Sequence, residues 1–275
     1  MYFGYNTNGF AHHRLEDALR LLADMGYQGI GLTLDHHALD PFAPDLADRT
    51  DALRRLLESL RLRCVIETGA RFLLDCRRKH QPTLLSATAE ERERRFEFLC
   101  RAVEIAAQLG ADGVSFWSGA CLEPASDAVL WERLTEGCHR LADVAEAKGV
   151  RLAFEPEPGM FVDTMPRYAE LSRRVDRPNF GLTLDVGHLQ CQGELPIEKH
   201  LRAWSDRLWN IHIEDMRRGE HEHLMFGEGE IDFAGVMRTL RELDYRGGVF
   251  VELSRHSHDA VRTAQRALAF LRGLS

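Results

Sequence analysis

DAVLWERLTEGCHRLADVAEAKGVRLAFE, residues 127–155, decides the fold. Residues 127–148 read as an amphipathic helix. It ends at Gly149, which suits a left-handed cap, and the chain then runs into the buried strand RLAFE at 151–155. The same unit recurs along the chain. Strands are expected at 2–6, 29–34, 64–68, 113–118, 151–155, 180–185, 208–214 and 248–253. Between them lie helical stretches: Leu15, Leu19, Leu22 and Met25 share one face, Leu46, Leu53, Leu56, Leu57 and Leu60 mark a second helix, and 88–109 is a third that ends at Gly110. Repeated strand-then-helix units imply a parallel sheet, and eight of them in 275 residues is the arithmetic of a (β/α)8 TIM barrel of the α/β class. A doubly wound open sheet is the rival, but no strand–GxGxxG–helix pattern is present. No Pro/Gly/Ser-rich linker breaks the chain, so one domain is expected over 1–275.

In such a barrel, chemistry collects where strands end at their C-terminal side. Four consecutive strands carry one polar residue there: LAFE ends at Glu155, LTLD at Asp185, WNIHI holds His212, and VFVE ends at Glu252. His212 lies between Ile211 and Ile213, so period-two alternation turns the imidazole toward the axis and the isoleucines toward the helices. Three carboxylates and an imidazole in one small volume cannot all keep their charges without a cation. The mostly oxygen donor set suits Mn2+, Mg2+ or Co2+, with Zn2+ also compatible. A single acid in such a place is more often a helix cap or a surface residue; four in succession are what single out a metal site.

Other polar groups follow these ends. His188 lies one turn past Asp185. Glu157 follows Glu155 across a proline and reads either as a solvated loop acid or as support for the site. Trp117 reads either as a sugar-pocket wall or as a core plug. Glu214, Asp215, Arg217, Arg218, His221 and His223 fall in one expected loop, with Asp232 as a candidate cap for the next helix. The longest irregular stretch, 68–86, carries Arg71, Arg77, Arg78, Lys79 and His80, which could grip an anionic substrate or be a solvated surface.

The composition, 44% hydrophobic and 28% charged, is that of a water-soluble globular chain, and a net charge of −8 disfavours nucleic-acid partners and anionic membranes. No apolar run is long enough to span a membrane and no signal peptide is expected. Cys64, Cys76, Cys100, Cys121, Cys138 and Cys191 form no CxxC pair, which suits reduced thiols and a cytoplasmic location.

Taken together, FEPEPG, LTLDVGH, HIEDMR, GEGEIDF and FVEL resemble the xylose isomerase-like TIM-barrel superfamily, a group that includes D-tagatose 3-epimerase, hydroxypyruvate isomerase, inosose dehydratase and endonuclease IV. The resemblance spans nearly the whole chain. It implies one divalent metal on Glu155, Asp185, His212 and Glu252, with Glu155 and Glu252 also moving protons, and with His188 and Arg218 holding oxygens of a small carbohydrate-like substrate. It implies an isomerase or epimerase working through an enediolate. The same ligands suit a lyase or dehydratase, and a barrel that binds its ligand without turnover is the reading from another class. A three-zinc nuclease would need histidines on the early strands, and GVSFWS and CVIET carry none. By analogy with related barrels, assembly as a homo-oligomer is left open.

Overall fold

A computed structural model describes residues 1–274; Ser275, the last residue of the domain expected over 1–275, lies outside them. Eight parallel strands close into a barrel: β1 (Tyr2–Asn6), β2 (Gly29–Thr33), β3 (Arg63–Glu67), β4 (Val114–Phe116), β5 (Leu152–Phe154), β6 (Phe180–Asp185), β7 (Leu208–Ile213) and β10 (Gly248–Val251). Closure comes from β1, which pairs with both β2 and β10. The helices are α1 (Leu15–Met25), α2 (Leu46–Leu60), α3 (Ala89–Leu109), α4 (Asp127–Ala147), α5 (Met165–Val175), α6 (Val186–Gln192), α7 (Ile197–Ala203), α8 (Phe233–Glu242) and α9 (Ala260–Gly273). None of the described helices is long and apolar enough to cross a membrane.

Local chemistry explains where these elements stop and start. Thr88 caps α3 by accepting from the Glu91 N–H at 3.2 Å, and Asp232 caps α8 through the Gly235 N–H at 3.1 Å. Gly110 closes α3 at φ 63°, as expected for a left-handed cap.

Two connections depart from simple alternation. Two helices, α6 and α7, follow β6. After β7 comes an antiparallel hairpin, β8 (Asp215–Arg217) and β9 (Glu220–Leu224), where the sequence reads as a loop. The stretch after β3, in contrast, has no helix or strand until α3 begins at Ala89.

The inside of the barrel is layered. At the N-terminal end, Tyr2, Val65 and Phe250 form a small apolar plug. Gly4 and Gly248 make room for it: a Cβ on Gly4 would stand 2.3 Å from the Phe250 ring, and one on Gly248 would stand 2.2 Å from it. One layer higher the interior turns polar. Thr183 donates to Ser115 at 2.9 Å, and Asn210 donates to Glu67 at 3.3 Å and to Thr183 at 3.4 Å. This polar layer supports the residues at the C-terminal mouth.

Candidate active site

His212 is the hub of the mouth. It is 1% exposed, and its neighbours Ile211 and Ile213 pack outward against the helices. Its Nδ1 lies 2.9 Å from Glu155 Oε1 and 3.0 Å from Glu252 Oε2, while its Nε2 lies 3.0 Å from Glu67 Oε1. Asp185 pairs with His212 across the β6–β7 ladder. Glu155, Asp185, His212 and Glu252 each present one donor atom, and these atoms all lie within 4.8 Å of one another.

Each member is held by its element. Glu155 follows β5 directly, and its N–H bonds the Phe116 carbonyl of β4 at 2.8 Å. Asp185 ends β6 and caps α6, its Oδ1 accepting from the His188 N–H at 2.9 Å. The cap leaves Oδ2 buried without a hydrogen-bond partner, and His188 Nε2 stands 3.5 Å from it. Glu252 follows β10 and accepts from Asn6 at 3.1 Å and Asn8 at 2.9 Å.

The electrostatics are those of carboxylates crowded away from water. Burial pushes Glu155 up to about 8, although the His212 charge pulls the other way. Burial acts on Glu252 too, but His212, His223 and the Asn8 amide hold it well below the usual carboxylate range. Burial alone would strip His212 of its proton; Glu155, Glu67 and Glu252 outweigh that and keep it protonated well above its ordinary value. A pocket that draws a proton onto its imidazole this way is one that stabilises positive charge.

The sequence reading places neither Glu67 nor Glu214 at the hub. Glu67 follows the apolar Val65 and Ile66 and ends β3, so the same apolar-run-then-acid pattern that marks Glu155 marks it. Glu214 continues the inward period-two series Asn210, His212, Glu214, yet it reads as a loop residue. It is fully buried, and neither of its oxygens meets a protein donor. Burial and the neighbouring Asp185 hold its carboxyl well above the usual range.

A cavity of about 300 Å³ opens above the hub. Glu155, Glu252, His212, His188, Glu157 and Trp117 all reach it, and Asp185 lies just beneath. Glu157 is half-buried, with Oε1 3.8 Å from His221. Trp117 lines the cavity and is also buried, with the Arg95 guanidinium 4.5 Å from its ring. The hairpin lifts His221 and His223 to the rim, and His188, His221 and His223 bring one nitrogen each within 4.8 Å of the others. Burial lowers His188 to about 4, so it is a neutral ring over the cavity.

Arg218, expected to hold substrate oxygens, is not among the cavity-lining residues. The hairpin register pairs Arg217 with Glu220, so Arg218 sits at the exposed tip. Its side chain packs over Gly193 at the end of α6, where a Cβ would stand 2.9 Å from Nε, and its N–H bonds Glu230 at 3.2 Å. The turn folds back onto α6 through the Gly219 N–H and the Cys191 carbonyl, which carries Arg218 away from the mouth.

The outer wall comes from the loop after β3. His80 donates from Nδ1 to the Gly69 carbonyl and meets Trp117 edge-on at 5.4 Å. Burial, then the neighbouring Lys79, Arg95 and Arg71, lower it to about 4. The unfolded chain therefore binds a proton that the fold rejects between pH 6.5 and 4, and His80 costs stability as pH falls through that window. We expect wild type to lose about 2 kcal/mol more than His80→Asn between pH 7 and 4, after a discount for partial exposure. Urea melts at both pH values check this, and equal losses in the two proteins would contradict it.

Comparison with known proteins fits this geometry. The model of the xylose isomerase-like TIM-barrel family matches residues 19–274. A protein of Escherichia coli (strain K12), provisionally named an L-ribulose-5-phosphate 3-epimerase, is 28% identical over 197 residues, covering 69% of this chain and 68% of that protein. An inosose dehydratase of Lacticaseibacillus casei is 32% identical over 139 residues, but the match spans only 44% of this chain and 46% of that enzyme. Among solved structures, D-allulose 3-epimerase from Methylomonas sp. superposes with a TM-score of 0.81 at 23% identity, covering 100% of this chain and 98% of that one.

Proposed function

Since the chain belongs to the xylose isomerase-like TIM-barrel family, we propose that it is a divalent-metal-dependent isomerase or epimerase of a small sugar, sugar phosphate or related hydroxy-carbonyl compound. The observation that carries this reading is the convergence of Glu155, Asp185, His212 and Glu252 under a cavity of small-molecule size. The residues fit a metal. Three oxygens and one nitrogen lie within a single coordination sphere's reach, and Asp185 Oδ2 is buried with no hydrogen-bond partner. Such a set suits Mn2+, Mg2+, Co2+ or Zn2+. A cation held there supplies positive charge that polarises a carbonyl and acidifies the adjacent C–H.

The chain's own carboxylates do the rest. In this reading Glu252, fixed by Asn6 and Asn8, and Glu155, which meets the same His212 nitrogen, take a proton from one face of the substrate and return one to another position. Return to the same carbon from the opposite face gives an epimer; return to the next carbon gives an isomer. His188 and Glu157 reach the cavity as hydrogen-bonding groups for substrate oxygens, and Trp117 offers an apolar wall. The provisional epimerase from Escherichia coli and the D-allulose 3-epimerase fold support the epimerase side of this reading.

The inosose dehydratase relative favours a second reading, in which the same proton removal is followed by loss of a neighbouring hydroxyl. NMR in D2O with Mn2+-loaded protein and a panel of ketopentoses, ketohexoses and their phosphates separates the two. Deuterium entering beside the carbonyl with no loss of water is the expected result. Loss of water would establish the lyase, and no exchange with any member of the panel would count against both.

A further inference from the structure

We propose that the loop after β3 gives this cavity an anion-binding end, where Arg71 and Lys79 take the phosphate or carboxylate head of a sugar derivative whose hydroxy-carbonyl end faces the Glu155–Asp185–His212–Glu252 cluster. The proposal rests on the function proposed above and names the substrate class of that site.

The cavity is segregated by charge. Its carboxylates, Glu67, Glu155, Glu157 and Glu252, come from strand ends at or near the floor. Arg71 and Lys79 come from the long loop and line the same cavity. Neither cation has an ion-pair partner among the described residues, whereas two other cations close by do. In the same loop Arg78 pairs with Asp75 and Glu91 at 2.7 Å each, and Arg255, across the mouth, pairs with Glu222 at 2.9 Å. The charges that bear most on His80 repeat the pattern: Lys79, Arg95 and Arg71 all act to lower it. A neutral polyol could accept hydrogen bonds from these cations but would leave both charges uncompensated. An oxyanion head matches a guanidinium fork beside an ammonium group.

The backbone that carries these cations is also held in place. The His80 N–H bonds the Arg71 carbonyl at 2.6 Å, and the Arg71 N–H bonds the Gly69 carbonyl at 2.7 Å, so residues 69–71 and 79–80 are stitched together. Beneath them Arg95, 1% exposed on α3, donates to the Thr68 carbonyl at 3.0 Å and stacks on Trp117. Ala70, Arg71 and His80 all adopt left-handed φ values of 55°, 30° and 66°, an arrangement that persists only where surrounding contacts over-determine it.

The test uses tag-free protein, inorganic phosphate as the head-group probe and 31P line broadening as the readout, before and after chelation of metal. Wild type should bind phosphate in both states. Arg71→Gln and Lys79→Met should each weaken it about fivefold, and the double variant more than tenfold, with metal content per chain unchanged. Lys79 is exposed, so Lys79→Met keeps the test standing should Arg71→Gln disturb the loop. Competition by acetate then distinguishes the sources. Displacement at comparable concentration assigns a sugar acid, and its failure assigns a phosphate ester. Phosphate binding that is absent in wild type, unchanged in the double variant, or lost on chelation would overturn the proposal. Failure of the underlying reading is seen separately, as a chain that takes up no metal.

Discussion

Glu252→Gln will slow deuterium incorporation beside the substrate carbonyl by about a thousandfold, the middle of the range for losing a positioned general acid or base. The substitution keeps the shape of the side chain, and the amide oxygen can still accept from Asn6 or Asn8, which reach Glu252 at 3.1 and 2.9 Å. It removes the negative charge and the ability to carry a proton. It also places an amide where His212 Nδ1 meets a carboxylate oxygen at 3.0 Å. Because Glu252 is offered as a ligand as well as a base, metal content must be measured on the same sample. A variant that keeps its metal and loses exchange isolates the proton-transfer role. A variant that exchanges at the wild-type rate would remove Glu252 from the chemistry.

The second large effect is on metal retention. Asp185 has two tasks, and Asn can do only one of them. Its Oδ1 caps α6 through the His188 N–H at 2.9 Å, a bond that an Asn oxygen can also make. Its Oδ2 is buried with no hydrogen-bond partner, and in Asp185→Asn the amide nitrogen takes that place with no charge. The fold should therefore survive while metal affinity falls by at least tenfold. Mn2+ at a hundred times its Kd stabilises a protein that binds it only when folded by about 2.7 kcal/mol. We expect that gain in wild type and no more than about half of it in Asp185→Asn, read as the shift in a urea melt with and without Mn2+. Equal gains in both proteins would show that the metal binds elsewhere.

Much of this architecture is legible in the sequence because the signals are local. Leu-rich helical faces, Gly110 and Gly149 at helix ends, and short apolar strands suffice to place the eight barrel strands close to where they lie. Period-two alternation around His212 places its ring toward the axis, and the acids that end β6 and directly follow β5 and β10 meet it there.

What was missed depends on contacts distant in sequence. EHEHL has no apolar face and reads as a loop; it is a strand because it pairs with 215–217 and folds against α6. That register alone sends Arg218 outward and brings His221 and His223 to the rim. Glu67 was visible as the end of a strand, but its bond to His212 spans the barrel from β3 to β7. Glu214 looks like one more loop acid until the hairpin and α6 bury it, where a Cβ on Gly187 would stand 2.0 Å from its carboxyl. The shape of the loop after β3 likewise depends on Arg95, which reaches it from α3.

The central claim is that Glu155, Asp185, His212 and Glu252 together hold one divalent cation. The measurement that tests it most directly is metal content per chain, by elemental mass spectrometry, on tag-free protein purified without chelator and then incubated with Mn2+ or Zn2+. The account predicts about one tightly held divalent ion per chain in wild type, and its loss in Asp185→Asn. A wild-type chain that holds no metal after incubation, or an Asp185→Asn chain that holds as much as wild type, would contradict it.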